Sequence, residues 1–346
     1  MNPPILITGA TGFLGHTLCP YLIDHGLRLR ALVRPTSAWE FLRPLGVELA
    51  WGDIRDPAAV RAAAEGCRAV VHAAGKFRFW GNREDFFSVN LEGTKNALEA
   101  ARQASVERFI YISTIAVAGA PPAGAMIDET YPPAPSDDYQ RSKLEAERLT
   151  LRYHQEHGLP AIALRAGAFY GPGSRYAFNR LFFEDPLKGL PLQVHKGRRI
   201  NFPVYIQDVA QGIDLALKRG RPGQVYNISG PSISHKQAND VVDRLLGYRI
   251  WRINVPAWSM LALARSWTWL SRYTGREPYY PRNLSTYVFY DWQVSIDKAR
   301  RELGFTPTPF EQGAQATLDW YRELGVGPSN WLTALIARIT RGRSKI

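Results

Sequence analysis

Three glycines spaced three residues apart follow a short apolar run near the start of the chain, in the stretch LITGATGFLGHTL. The run at 5–7 is apolar and rich in β-branched residues, which is typical of a buried strand, and the residues after Gly12 have helical periodicity. Gly9, Gly12 and Gly15 therefore lie in a strand-to-helix turn, where glycine permits a positive φ and lets the backbone approach a ligand. Backbone N–H groups at the start of the helix would favour an anion. A tight turn that binds nothing is the alternative interpretation of this motif taken alone.

The length and composition of the chain are those of an ordinary folded protein with two lobes. At 346 residues the chain exceeds one typical core, and its residues are 45% hydrophobic and 21% charged. Cys19 and Cys67 stand in apolar contexts without metal-ligand spacing, which predicts two buried thiols in a reducing compartment. We expect neither a secretory signal nor a membrane span, because the start of the sequence lacks a basic and apolar leader and no uncharged apolar stretch reaches about eighteen residues.

The net charge of +12 is concentrated in two regions. Residues 249–290 contain six arginines, a single acidic residue, Glu277, and four of the ten tryptophans. Residues 326–346 are predicted to form a basic amphipathic helix without any acidic residue. Such a helix suits the surface of an anionic membrane, and packing against the body of the protein with a solvated basic edge is the alternative. We expect no nucleic-acid partner, because no recognised binding motif accompanies the charge.

The first 170 residues alternate between strand-like and helix-like segments. Repeated βα units with continuous apolar strands predict an α/β protein whose parallel sheet is covered on both faces. The apolar runs lie at 4–8, 28–33, 47–51, 68–73, 107–113 and 160–165. After Gly171 the pattern becomes irregular, and βα-like pieces return in FPVYIQDVAQGIDLALKRG and GQVYNISG. We therefore predict a first domain at 1–170 that 203–229 rejoin, a substrate lobe at 171–202 and 230–325, and the terminal helix at 326–346.

In a doubly wound sheet, ligands bind beyond the carboxyl ends of the strands. Arg34 follows the second strand, where a carboxylate would favour NAD and an arginine accommodates the 2′-phosphate of NADP. We therefore predict NADP, and a merely exposed arginine with NAD as cofactor is the alternative. The third strand ends at Asp53. The fourth ends at His72, which we expect to be a packed histidine, and the small residues at 73–75 leave room for a flat cofactor.

The fifth strand ends in Ser113 and Thr114, and the next helical segment carries Tyr139 and Lys143. A separation of four places the last two side chains on one face of a helix. The ordinary pKa of tyrosine is about 10, and a neighbouring ammonium is expected to lower it by favouring the phenolate. Tyr139 is thereby predicted to act as general acid and base, with Thr114 holding the same substrate oxygen.

Seven short motifs occur in order along nearly the whole chain: TGATGFLG, Asp53, HAAG, VNLEGT, YIST, YQRSK and YGPG. Together they resemble the extended short-chain dehydrogenase/reductase superfamily, which includes the NAD-dependent epimerases and dehydratases. The resemblance implies a Rossmann-type doubly wound parallel sheet with a smaller, mainly C-terminal α/β substrate lobe. It also implies an NAD(P)-dependent enzyme in which Thr114, Tyr139 and Lys143 form the catalytic set.

The same resemblance implies a set of cofactor-binding residues along one edge of the sheet. In this set the opening glycines cradle the pyrophosphate, Asp53 and Ile54 meet the adenine, and Lys143 holds the nicotinamide ribose. Together with Arg34, the full predicted set is Gly9, Thr11, Gly12, Phe13, Leu14, Gly15, Arg34, Asp53, Ile54, Ala73, Ala74, Gly75, Asn90, Tyr139, Lys143, Ala166, Gly167, Ala168 and Phe169. A homodimer formed through helices at about 84–103 and 137–157 is implied in the same way.

Three segments favour the 3β-hydroxysteroid dehydrogenase and 3-oxoacid reductase branch of the superfamily: KFRFWGNREDFFSVN, WLSRYTGREPYY and VSIDKARRELGF. Nucleotide-sugar enzymes usually carry an arginine just before a Y-x-x-D element. Asn201 stands at that place here, with Arg198 and Arg199 close by. Ala166 replaces the proline that usually follows the sixth strand, which we expect to alter a backbone contact with the nicotinamide and not the type of reaction.

The favoured hypothesis is an NADP(H)-dependent oxidoreductase that interconverts a secondary alcohol and a ketone on an apolar, lipid- or sterol-like substrate. The aromatic stretch at 251–290 would line the substrate pocket, or else pack the core of the second lobe. The second hypothesis is a nucleotide-sugar epimerase or dehydratase with tightly bound NAD, and the third is a non-catalytic nucleotide-binding subunit. The second needs cations for a diphosphate, and the candidates are Arg175, Arg180, Arg198 and Arg199. We expect a cytoplasmic protein, held at the inner face of a membrane if the terminal helix binds there.

Overall fold

Seven strands form one parallel sheet at the centre of the computed structural model, which describes residues 2–190 and 192–326. The strands in chain order are β1 Ile5–Thr8, β2 Leu29–Val33, β3 Glu48–Trp51, β4 Ala69–His72, β5 Arg108–Thr114, β6 Met126–Ile127, β7 Ala161–Ala166, β8 Ala168–Tyr170, β9 Leu192–Val194, β10 Ile200–Asn201, β11 Pro203–Tyr205, β12 Val225–Ile228, β13 Ile233–Ser234, β14 Ile253–Val255 and β15 Gln293–Val294. The helices are α1 Phe13–Asp24, α2 Pro57–Ala64, α3 Arg83–Phe87, α4 Gly93–Gln103, α5 Asp138–His157, α6 Asp185–Leu187, α7 Ile206–Arg219, α8 His235–Leu246, α9 Ala257–Thr274, α10 Ser285–Val288, α11 Asp297–Leu303 and α12 Phe310–Glu323. A π-helical turn, Ser88–Glu92, joins α3 to α4, and another, Arg180–Glu184, leads into α6.

The strand order in the main sheet is β12-β7-β5-β4-β1-β2-β3, and every neighbouring pair is parallel. The order reverses between β1 and β4, so the loops that follow these two strands leave a crevice between them. The predicted fold class is confirmed. Each of the six predicted apolar runs is a strand of this sheet, with ends that differ by one residue at most, and GQVYNISG supplies β12 as the seventh.

The central strands are buried on both faces, which accounts for their continuous apolar sequences. On one face, Ile7 of β1 belongs to a core that also contains Leu18 of α1 and Ile213 of α7. On the other face, Leu6 of the same strand belongs to a second core with Leu98 of α4. The alternation of side chains along β1 thus joins two helical layers to one strand.

A buried ion pair ties α5 to the centre of the sheet. Arg165 of β7 donates to both carboxylate oxygens of Glu147 on α5, with Nη2 2.7 Å from Oε1. The Ser113 hydroxyl of β5 donates to the same carboxylate at 2.6 Å. Since Glu147 and Arg165 are both buried, the pair fixes the position of α5 along the direction of β5 and β7.

Short two-stranded ladders surround the main sheet. β8 pairs with β11, β9 with β14, β10 with β13 and β6 with β15. The second lobe is mainly helical, and its long helix α9 follows directly after β14. The predicted domain boundaries stay a prediction, and residues 327–346 of the predicted terminal helix lie outside the described residues.

Both cysteines are buried and free, as the sequence predicts. Burial raises the pKa of the Cys19 thiol to about 12, so this thiol is not in its reactive thiolate form at neutral pH. In the described part of the chain, no helix is both long and apolar enough to cross a lipid bilayer.

We predict that Arg165→Met lowers the free energy of unfolding by about 3 kcal/mol, because it leaves the Glu147 charge buried without its cation. Removing both charges in Arg165→Met/Glu147→Met should be less harmful than the single change, since neither charge of the pair then stays buried without its partner. The matched control is Arg148→Met, which breaks an exposed ion pair with Glu145 on the same helix and should change stability by less than about 1 kcal/mol. Urea unfolding of the four proteins measures these differences. A double variant that is less stable than the single one would contradict the argument.

Candidate active site

The three opening glycines have three different structural roles. Gly9 has a φ of +76°, and a Cβ there would lie 2.7 Å from the backbone of Ala73 and Ala74, beyond the end of β4. A Cβ on Gly15 would lie 2.0 Å from the carbonyl oxygen of Ala10, so only glycine allows α1 to pack this close to the turn. Gly12 is the residue that caps the start of α1, and a Cβ there would meet only the Gly9 oxygen at 3.3 Å, so its outer side is open. This division of roles is that of a dinucleotide-binding turn.

The other predicted residues of the turn surround the start of α1. Thr11 and Phe13 are partly exposed, whereas Leu14 is buried in the core and can offer a ligand only its backbone. The ring of Phe13 lies 6.4 Å from that of Phe169, which is in β8. The structure therefore brings the first predicted cofactor segment next to the last one.

His72 is a packed histidine, as predicted. Its Nδ1 lies 2.8 Å from the Thr8 hydroxyl, and its Nε2 lies 2.9 Å from the Thr94 hydroxyl. Burial lowers its pKa to about 3, with a further contribution from the charge of Lys143, so the ring is neutral at physiological pH. Thr8 accepts a hydrogen bond from the N–H of Ala74, so this network sets the position of the predicted cofactor-lining residues after β4.

Asn90 lies in the π-helical turn between α3 and α4, and it clamps the chain that follows Gly75. Its Oδ1 accepts from the Lys76 N–H at 2.7 Å, and its Nδ2 donates to the Lys76 carbonyl oxygen at 3.1 Å. The same Nδ2 donates to the Ser142 hydroxyl on α5 at 2.9 Å. A Cβ on Gly75 would lie 3.3 Å from Asn90 Oδ1 and 3.9 Å from Lys143 Nζ, so glycine keeps this space open. Because π turns are frequent at functional sites, this turn agrees with the predicted role of Asn90.

Thr114, Tyr139 and Lys143 meet beyond the end of β5. Thr114 is the last residue of β5, and its hydroxyl shares a hydrogen bond with Tyr139. The Lys143 ammonium donates to the carbonyl oxygen of Ile112 at 2.5 Å and lies 4.3 Å from the centre of the Tyr111 ring. Asp137 caps α5 by accepting from the Gln140 N–H, so the helix starts just before Tyr139.

Burial dominates the electrostatics of this set. It raises the pKa of Tyr139, and the hydrogen bond with Thr114 acts in the opposite direction. It lowers the pKa of Lys143 to about 7, against the effect of the Glu147 carboxylate. The expectation that Lys143 lowers the pKa of Tyr139 is therefore wrong for this structure, because loss of solvent outweighs it and the ammonium is directed at the Ile112 carbonyl.

The adenine end of the predicted site contains an arginine that the sequence analysis missed. Arg55 donates to the carboxylate of Asp53 through both Nε and Nη2, and these bonds lower the pKa of Asp53 to about 2. The guanidinium of Arg34 lies 4.0 Å from the same carboxylate and is largely exposed. Ile54 is buried against Gly93 of α4. Arg55 stands two residues after Asp53 in the sequence, and this spacing could have indicated a contact between the two side chains.

Residues 166–169 form the opposite wall of the crevice. Gly167 donates to the Ile228 carbonyl oxygen at 2.9 Å, and a Cβ there would lie 2.5 Å from the Phe202 oxygen. Ala168 donates to that Phe202 oxygen, which places it at the start of the β8–β11 ladder. Ala166 ends β7 within the sheet ladder and is buried.

An aromatic cluster adjoins Tyr139 through Phe77. The centroid of the Phe77 ring lies 4.9 Å from that of the Tyr139 ring and 5.7 Å from that of the Tyr176 ring. Phe79 stacks on Tyr176 at 5.4 Å and meets Tyr287 at 5.3 Å. We call Phe77, Phe79, Tyr176 and Tyr287 the aromatic wall. Phe77 and Phe79 belong to the KFRFWG stretch, whose alternating aromatic residues were the signal for this wall.

An apolar cavity of about 100 Å³ lies in the second lobe. Its lining includes Met260 and Ala264 of α9 and, from the segment after it, Tyr280, Leu284 and Val288. Tyr280 and Leu284 share a hydrophobic cluster with Phe79 and Tyr287, so the cavity and the aromatic wall are parts of one apolar region. The aromatic stretch thus contributes to a cavity as well as to packing.

The four arginines considered for a diphosphate are mostly engaged within the protein. Arg175 pairs with Glu184, Arg180 donates to the Tyr279 carbonyl oxygen, and Arg199 pairs with Asp291. Arg198 has no ionic partner among residues 2–190 and 192–326. Asn201, at the position of the expected arginine, is buried, and its side-chain oxygen accepts from the Phe202 N–H.

Comparison with known proteins agrees with this geometry. Sterol demethylase protein B of Methylococcus capsulatus is 28% identical, over 93% of this chain and 99% of that protein. A 3 beta-hydroxysteroid dehydrogenase/Delta 5-->4-isomerase of Mycobacterium tuberculosis is 30% identical, over 88% of this chain and 86% of that protein. The UDP-glucose 4-epimerase of Thermus thermophilus, solved in complex with NAD, has a TM-score of 0.74 at 28% identity, over 92% of this chain and 99% of that one.

The glycine turn, the reversal of strand order beside it and the space kept open at Gly75 all fit a dinucleotide. Residues 5–229 also match the NAD dependent epimerase/dehydratase family, which is more than half of the chain. The chain therefore belongs to the NAD dependent epimerase/dehydratase family and is an NAD-dependent enzyme of the extended short-chain dehydrogenase/reductase type.

Proposed function

We propose that this enzyme interconverts a secondary alcohol and a ketone on an apolar, lipid- or sterol-like substrate. The observation that carries the proposal is the position of Tyr139, which shares a hydrogen bond with Thr114 and adjoins the aromatic wall through Phe77. A proton donor for a carbonyl oxygen thus borders an apolar surface. A bound nicotinamide cofactor would supply hydride exchange at the carbinol carbon.

Tyr139 handles the proton of the substrate oxygen in this proposal. Because burial raises its pKa, the phenol is protonated at neutral pH and is ready to donate to a carbonyl oxygen in the direction of reduction. In the direction of oxidation, the same oxygen must accept a proton, so this direction is expected to gain from a higher pH. The Thr114 hydroxyl can hydrogen-bond the substrate oxygen and hold it in line with Tyr139.

Lys143, Asn90 and the glycine turn would hold the cofactor. The turn offers open backbone N–H groups at the start of α1, where a pyrophosphate is favoured. Lys143 lies 3.9 Å from the position that a Cβ on Gly75 would take, so its ammonium borders the open space assigned to the nicotinamide ribose. Asn90 supports this space through its hydrogen bonds with the Lys76 backbone.

The character of the lining supports an apolar substrate. The aromatic wall and the cavity beside it present rings and aliphatic side chains, and burial of such surface favours an apolar ligand. Two of the relatives support the same substrate class, because one is named a sterol demethylase protein and the other a 3 beta-hydroxysteroid dehydrogenase. A nucleotide-sugar substrate is less well supported, because Arg175, Arg180 and Arg199 are already bound within the protein.

We further propose that NADP is preferred over NAD. Arg34 comes directly after β2, and its exposed guanidinium lies near Asp53 at the adenine end of the site. Arg55 adds a second guanidinium at the same carboxylate. Arg55 is engaged by Asp53, so the proposal depends on Arg34, whose exposed guanidinium would favour the 2′-phosphate of NADP, whereas NAD sites usually hold the ribose with a carboxylate after the second strand.

Tyr139→Phe is expected to reduce turnover by about two to four orders of magnitude, because it removes the proton donor and leaves the ring in place. The assay follows oxidation of the reduced cofactor with a panel of steroidal and long-chain ketones, and cofactor affinity is measured by calorimetry. Tyr153→Phe, a change on the same helix far from Thr114, is the matched control and should be close to wild type. Turnover of the Tyr139 variant within a few-fold of wild type would remove the assigned role. If no ketone in the panel is reduced, but the protein turns over a nucleotide sugar without added cofactor, the proposed function is wrong.

Arg34→Asp is expected to lower the affinity for NADPH relative to NADH by about tenfold or more, since one charge-assisted contact is lost and a like charge is added. Calorimetric titration of both cofactors gives this ratio without a known substrate. Arg43→Asp, another exposed arginine of the same sheet domain, should leave the ratio unchanged. An unchanged ratio in Arg34→Asp would mean that Arg34 does not meet the 2′-phosphate.

Lys143→Met is expected to stabilise the cofactor-free protein at neutral pH although it impairs turnover. The pKa of Lys143 is about 7 in the folded protein and about 10.4 in the unfolded chain, so the unfolded state binds more protons between these values. The wild type therefore gains stability as the pH rises from about 7 to 10, and the advantage of the variant should shrink over that window. Chemical unfolding at several pH values tests this, with the exposed Lys95→Met as the control. A difference that does not change with pH would show that Lys143 is not held at an energetic cost.

A further inference from the structure

We infer that the outer face of α9, together with the strand before it, is a docking surface for an anionic lipid membrane. The helix exposes four large apolar or aromatic side chains, Trp258, Trp269, Leu270 and Tyr273, each between 51% and 73% accessible. Trp251, just before β14, is 72% accessible. Large apolar side chains exposed together on one helix indicate an interaction surface, because soluble proteins seldom expose a large contiguous apolar patch.

Three of the exposed rings form one stripe along the helix together with Arg265. Trp258, Arg265, Trp269 and Tyr273 are separated by seven, four and four residues, which places them on the same side of an α-helix. The opposite side carries Met260, Leu261 and Ala264, which line the apolar cavity. The helix therefore has two apolar faces, and only the inner one is covered in the described part of the protein.

The charged residues of this segment are arginines up to residue 276, and Glu277 follows them. Between residues 249 and 276 the sequence contains five arginines and no acidic residue. Arg252 is buried in an ion pair with Asp243, whereas Arg249, Arg265 and Arg276 are exposed and have no ionic partner within residues 2–190 and 192–326. Tryptophan and tyrosine at an interface with adjacent arginines suit the headgroup region of an anionic membrane, where the rings enter the boundary and the cations meet phosphate.

The same charge argues against the other occupants of this face. In a symmetric pair of copies, each patch would face an identical one, so the arginines of the two copies would meet without an acid to separate them. The segment at 327–346 carries basic residues and no acidic one, so it would bring further like charge to the patch. Anionic lipid supplies the complementary charge that neither of these offers.

The experiment is co-sedimentation of the full chain with vesicles of phosphatidylcholine alone or with phosphatidylglycerol. We expect binding to the anionic vesicles and a loss of affinity of about tenfold or more in Trp258→Ser/Trp269→Ser/Tyr273→Ser, because the rings supply the buried apolar area. Arg265→Glu should weaken binding to the anionic vesicles. The matched control is Trp51→Ser, which removes an exposed tryptophan from the edge of the main sheet and should bind like wild type. Circular dichroism and cofactor affinity show that each variant is folded.

Three results would overturn the inference. The first is wild-type protein that does not bind the anionic vesicles, and the second is a triple variant that binds them as wild type does. The third is a triple variant whose oligomeric state in lipid-free solution differs from that of wild type, since the face would then belong to a protein contact. A variant that lacks residues 329–346 distinguishes the terminal segment from α9 as the membrane contact. If this deletion abolishes vesicle binding and the triple variant retains it, the terminal segment is the anchor. All of these measurements are independent of turnover, so they stand or fall separately from the proposed function.

Discussion

The close approach of two strand ends is the constraint on which the rest of the site depends. β1 turns at Gly9 so near to the backbone of Ala73 and Ala74 that no side chain fits between them. The hydrogen bonds of His72 with Thr8 and Thr94 hold the same two strands and α4 together. Because the strand order reverses at this place, the crevice opens where the backbone is most tightly fixed. The predicted cofactor-binding edge is thus held by short backbone contacts and buried hydrogen bonds, which would limit the ordering that binding requires.

The helix that carries Tyr139 and Lys143 is positioned by a buried ion pair. Glu147 lies one turn after Lys143 on α5 and is held by Arg165 and Ser113. This network places Tyr139 beside Thr114, but it also leaves the Lys143 ammonium in a site where burial lowers its pKa to about 7. Burial of a lysine whose pKa is lowered in this way is unfavourable, so the surrounding structure must hold the side chain in place. The stability of the fold does not account for this cost, whereas the proposed contact of the ammonium with the nicotinamide ribose would.

The main sheet could be predicted from sequence because each of its strands is a continuous apolar run between helical segments. The glycine turn, Asp53, Asn90 and the Thr114, Tyr139 and Lys143 set could be singled out because each stands at the end of a strand or in the helix that follows it, and their roles stay predictions. Arg55 stands two residues after Asp53, but only the structure shows that it binds that carboxylate. The aromatic wall could not be predicted as a unit, because Phe77, Tyr176 and Tyr287 are far apart in the chain. The predicted direction of the Tyr139 pKa shift was also wrong. The shift depends on how far burial excludes solvent, and the spacing of two residues on a helix does not contain that information.

The helix α9 shows why composition alone left the second lobe ambiguous. Its apolar residues run around most of its circumference, a pattern that favours burial when it is considered without the fold. The structure divides it instead, with Met260 and Ala264 toward the cavity and Trp258 and Trp269 toward solvent. One short segment therefore carries both the lining of an apolar cavity and an exposed aromatic surface. Since the two faces lie about one helix diameter apart, a membrane docked on the outer face, as proposed, would lie close to the apolar cavity lined by the inner one.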